Sequence, residues 1–144
     1  MLIKMFENMF ARIESPAKTV DDAITDFMKS YFLENFNIEK EYLDKNASGD
    51  KDYFKVAIAK KIDVHKKYWC NLNEFWMPCG IGSEPNFNWS RVKNIGILRS
   101  EDDNNMQYLF TFLYAKLQDS DYESNEAYIL KLKDNNLMID QNFY

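Results

Sequence analysis

Histidine occurs once and cysteine twice in these 144 residues. His65, Cys70 and Cys79 cannot complete a four-ligand zinc site without help from carboxylates, and no C-x-x-C pair is present. Neither thiol has a basic neighbour in sequence, so a catalytic cysteine has no support. The pair reads as reduced cytoplasmic thiols, or as a loop-closing disulfide if the chain is exported. A basic excess is also missing: 18 Lys and Arg against 23 Asp and Glu leave a formal charge of −5. That sign argues against a nucleic-acid binder and suits a basic protein partner. No apolar run is long enough to span a membrane. Met1 to Ile13 is apolar but carries Lys4, Glu7 and Arg12, which a secretory signal would not; it reads as a helix that packs on the body. There is no serine nucleophile elbow, phosphate loop or dinucleotide fingerprint. Gly80-Ile81-Gly82 lacks the third glycine and reads as a turn. Internal repeats and low-complexity tracts are absent. No metal and no cofactor are expected.

What is present is apolar and aromatic. At 46% hydrophobic and 16% aromatic, the chain can bury the core of one domain. Its texture changes partway. Residues 1–15 read as a helical extension, 19–69 as helices, 70–91 as an ordered loop and 92–144 as an antiparallel meander. Helices followed by strands with short polar turns predict an α+β fold with a curved sheet around the helices. Thr19 is placed as an N-cap with Asp22 three residues on. Val20, Ile24, Phe27, Met28 and Tyr31 follow at helical spacing, with a bend expected near Asn35 and Asn37. A second helix is expected from Asp50, its stripe formed by Phe54, Ala57, Ile58, Ile62, His65 and Trp69. Lys55, Lys60, Lys66 and Lys67 fall mostly outside that stripe. The loop holds Pro78, Gly80, Gly82 and Pro85 among Phe75, Trp76, Phe87 and Trp89.

Val92–Arg99, Met106–Leu117, Glu126–Lys133 and Leu137–Tyr144 are the expected strands. Met106–Leu117 is apolar on both faces, unlike a sheet with one solvated side. Asp134-Asn135-Asn136 suits a tight turn, since Asn tolerates positive φ. Phe27, Tyr31, Phe54, Ile58, Phe110 and Phe112 are the expected core.

Candidate chemistry is thin. His65 sits on an apolar stripe, where a hydrogen-bonded core residue is expected, and Asp63 points elsewhere. Glu101, Asp102 and Asp103 cluster at one turn, and Asp119, Asp121 and Glu123 at another. They read either as solvated hairpin turns or as an acidic rim for a basic partner. Trp76 and Trp89 read either as core or as binding anchors.

Ile62–Trp69, the Pro78–Trp89 loop and the strand pair Tyr108–Leu117 and Glu126–Lys133, ending in Leu137-Met138-Ile139-Asp140, together resemble a nuclear transport factor 2-like (cystatin-like) α+β roll. More narrowly, the layout is similar to bacterial immunity proteins of that fold, which neutralise polymorphic, contact-dependent or type VI toxins. The resemblance covers most of the chain after Thr19. It implies a cytoplasmic, non-enzymatic protein that blocks the active site or substrate access of a cognate toxin, with no nucleic acid and no membrane involved. Two other readings remain: a small pocket enzyme or ligand-binding protein of the same fold, and a structural subunit that dimerises through its open sheet face.

Overall fold

The computed structural model describes residues 19–70, 81–82, 84–102, 105–115 and 122–143. Helix α1 is Val20–Ala47, helix α2 is Tyr53–Tyr68, and a single 3-10 turn spans Trp89–Arg91. Four strands follow: β1 Val92–Asp102, β2 Asn105–Ala115, β3 Glu123–Lys133 and β4 Asn136–Phe143. They form one antiparallel sheet in the order β1-β2-β3-β4. The chain is therefore α+β. Two compact units divide it, residues 29–90 in one and the start of α1 with the sheet in the other.

Local chemistry explains the ends of α1. The Thr19 hydroxyl accepts from the Asp22 amide at 3.1 Å, and the Asp22 carboxylate accepts from the Thr19 amide at 3.4 Å. This reciprocal pair satisfies two donors that a helix start leaves open. At the other end Asp50 N–H reaches the Lys45 carbonyl at 2.9 Å and Gly49 N–H the Asn46 carbonyl at 3.1 Å. Gly49 has φ 95°, a conformation that glycine adopts without penalty, and the pattern is a Schellman stop. Between these signals no Gly or Pro interrupts the chain, and α1 runs unbroken for 28 residues. The bend expected near Asn35 is thus not a break in the helix. Asn35 is instead buried, its amide donating to the Tyr31 carbonyl one turn back at 2.8 Å.

In the first unit, Ala23, Ile24 and Met28 of α1 are buried. So are Met106, Tyr108, Phe110, Phe112 and Tyr114, every second residue of β2. Tyr128 and Leu130 of β3 and Leu137 and Ile139 of β4 complete the buried face. Register puts Phe110 opposite Tyr128 and Leu130 opposite Ile139. The strands run longer than expected at β1 and β3. Glu101 and Asp102 lie in β1, and Glu123 opens β3, not in turns. Asp134 and Asn135, at φ 51° and 64°, make the tight turn before β4.

In the second unit the buried arc of α2 is Ala57, Lys61, His65 and Tyr68, spaced four, four and three. Its centre is a lysine. Ile58 and Ile62 flank that arc half-buried, as Phe27 is on α1. Phe54 corrects the expected core: it is 46% exposed, because it occupies the first turn of α2, where it meets the Tyr42 ring edge-on at 5.6 Å. The extension 1–15 and the expected loop aromatics Phe75 and Trp76 lie outside the described residues.

Candidate functional site

Two features gather chemistry, one sealed and one open. The sealed one lies between α1 and α2. Asn35 and Glu39 sit one turn apart on α1, Lys61 and His65 one turn apart on α2, and all four are fully buried. The Lys61 ammonium donates to Glu39 Oε1 at 3.1 Å, Asn86 donates to the same oxygen at 3.3 Å, and Lys61 lies 5.0 Å from the Phe87 ring centre. Burial raises the Glu39 carboxyl above its ordinary range, against the pull of Lys61 and Asn86. Among the described residues, Glu39 Oε2 and Asn35 Oδ1 have no hydrogen-bond partner.

One turn further, His65 Nδ1 lies 2.7 Å from the Lys61 carbonyl. A carbonyl only accepts, so Nδ1 carries the proton. Nε2 must then accept, and the Tyr31 hydroxyl donates to it at 2.9 Å. Tyr31 in turn accepts from the Trp69 indole at 3.1 Å. The directions form one chain, Trp69 to Tyr31 to His65 to the Lys61 carbonyl. A second proton on His65 would oppose the Tyr31 hydrogen. Burial, and then the Lys61 charge, hold the imidazole down at about 4. His65 is therefore neutral, buried and hydrogen-bonded, as its place on the stripe suggested. Lys61 and Glu39 were not anticipated; a lysine among five on one helix carries no local mark of burial.

The open feature is the other face of the sheet. Leu98, Leu109 and Ile129 are opposed across three strands, as are Gly96, Thr111 and Ala127 beside them. Leu98 is 64% exposed, and Leu109, Leu113, Ile129 and Met138 are half-buried. The small residues leave a groove of 490 Å³, walled by Thr111, Leu113, Asn125, Ala127 and Phe143, with Asn94 at its β1 side. Gly96 is required there, since a Cβ would stand 2.8 Å from the Thr111 hydroxyl oxygen. Two ion pairs lie on this face, Lys93 with Glu123 at 3.1 Å and Lys131 with Asp140 at 3.3 Å, and Glu126 also lines the groove. Both apolar faces seen in the β2 sequence are thus real, but only one is core.

The expected site residues are dispersed. Glu101 is exposed near the end of β1, and Asp102 is the last residue of that strand. Glu123 lies at the opposite end of the sheet, next to Ala115. The 11 residues of β2 separate these ends, roughly 34 Å at strand rise. Any one surface bordered by both acidic clusters must run the length of the sheet. Trp89 is half-buried, edge-on to Phe32 at 5.5 Å. Trp76, Asp103, Asp119 and Asp121 lie outside the described residues. Among the described residues no group of His, Cys, Asp or Glu is placed to hold a metal ion, and no helix is long and apolar enough to cross a membrane. No family model, curated protein or solved structure matches this chain.

Proposed function

We propose that this protein is a binding module, specifically a cytoplasmic immunity protein of nuclear transport factor 2-like layout that neutralises a cognate toxin domain with a basic surface. The observation that carries the reading is the open sheet face, an apolar centre with Glu123 at one end and, by register, Asp102 at the other; Glu101, opposite Met106, belongs to the other face. Interfaces combine a desolvated apolar centre with a polar rim, and rim charge steers the approach of an oppositely charged partner. The acid–base groups gathered between the helices, Glu39, Lys61 and His65, are fully buried, whereas catalysis needs such groups within reach of a substrate. Helices followed by a four-stranded antiparallel meander agree with the layout that suggested the family.

The test is co-expression with the product of the adjacent gene, scored by growth and by co-purification. Growth rescue, with a stable complex, is expected, and His65→Gln should keep it. Absence of both rescue and complex would remove the immunity reading. A His65→Gln variant that folds and binds its partner yet fails to protect would favour an enzyme.

A further inference from the structure

We infer that, before a partner arrives, the open face of the sheet is covered by a second copy of this chain, in a twofold face-to-face dimer. Three observations converge on a second copy. The first is size. Three strands of 11 residues and one of 8, at about 4.8 Å spacing and roughly 3.4 Å per residue, present about 670 Å², close to the roughly 800 Å² per partner of a standard stable interface. The second is relief. Leu98 stands out at 64% exposure, and Phe143 at 50%, while the groove over Thr111 and Ala127 is a neighbouring hollow on the same face. A twofold interface requires that one surface carry both knob and hole, since residue i meets j and j meets i. Leu98 of one copy would enter the groove of the other, against Thr111, Leu113, Ala127 and Phe143.

The third is charge. The chain carries −5 overall, which would keep two copies apart if that charge were spread over the contact. The described acids around the groove are held within the chain, Glu123 by Lys93, Asp140 by Lys131 and Glu126 by the Ser124 hydroxyl at 3.0 Å, and Asp102 lies at the far end of β1, so the centre of the face meets its own copy with little like-charge repulsion. The inference rests on the docking face proposed above for its consequence: a toxin would have to displace the second copy, so the free protein keeps its apolar face out of water.

Sedimentation equilibrium of the full chain at micromolar concentration is the test. Wild type should sediment at twice 17.2 kDa. Leu98→Asp and Ala127→Arg should each raise the dimer dissociation constant about tenfold or more, because each buries an unpaired charge. Leu33→Asp, at a residue 51% exposed on α1, should leave it unchanged. Should either face variant fail to fold by circular dichroism, concentration-dependent amide shifts of wild type supply the answer: Leu98, Thr111, Leu113 and Ala127 should move and α2 should not. A monomeric wild type, dimers unaffected by both folded face variants, or shifts confined elsewhere would overturn the dimer. Toxin protection is scored separately. A dimer without protection removes only the immunity reading, and protection by a monomer removes only the dimer.

Discussion

Lys61 holds an ammonium group where no solvent reaches, and its one described carboxylate partner is Glu39. Lys61→Met leaves that carboxylate buried and uncompensated, and should cost about 3–5 kcal/mol in urea denaturation. The double variant Glu39→Met with Lys61→Met should recover most of the loss, because the cost lies in the orphaned charge. His65 sets a pH dependence. Its imidazole is held at about 4 against an ordinary 6.5. Between those values the unfolded chain binds a proton that the native chain refuses. Stability is therefore full above pH 6.5 and falls as pH drops toward 4, by about 3 kcal/mol in total. Glu39 acts the other way: its raised carboxyl takes up a proton first in the native state and offsets part of the fall. Unfolding free energies measured over this window should show a shallower decline in His65→Gln than in wild type. Among the aromatics, Phe110→Ala should cost about 3–5 kcal/mol and Phe54→Ala under about 1.5 kcal/mol, since the first is fully buried and the second half in water.

At the scale of elements, ends and turns carry the local decisions. Thr19→Ala removes one side of the reciprocal cap of α1 and should cost about 1 kcal/mol. The turn before β4 needs positive φ at both central residues. Asn135→Ala should lose about 1 kcal/mol there, while Asn135→Gly should hold or gain a few tenths; thermal melts of the pair separate backbone conformation from side-chain contacts. β1 shows the same logic in packing. Its register shifts between Lys93 and Gly96, and Asn94 in that irregularity has φ 52°, so the strand bends where it lines the groove.

Across the whole molecule, register sets Glu123 at one end of the apolar face and Asp102 at the other, while Glu101, opposite Met106, falls on the core side. In complex with a basic toxin, Asp102→Lys with Asp103→Lys should chiefly slow association, more so at low salt, while dissociation changes little. Stopped-flow rates at two ionic strengths would show it. A rate unchanged at both, with tight binding kept, would place the first acidic cluster away from the interface.

Much of this architecture was readable along the chain. Thr19 and Asp22, and Asp134-Asn135, act through neighbours within a few residues, so short-range rules suffice for the cap and the turn. The alternation in β2 likewise announced two apolar faces. Which face is core, however, depends on what lies across the sheet, and period-two patterning is symmetric between the two. The same limit hid the buried Lys61, which differs from Lys60 only in the direction its side chain takes, and left Phe54 in a stripe that the helix end exposes. It likewise left open which sheet face Glu101 takes: opposite the buried Met106 it shares the core-side face, while Glu123 lies beside Ala115 at the other end. The amino-acid order by itself determined the kind and order of the elements, the cap of α1 and the turn before β4, because backbone preference and hydrophobic period are local. Tertiary structure alone decided which lysine and which sheet face leave water, because burial is a property of contacts between residues far apart in sequence.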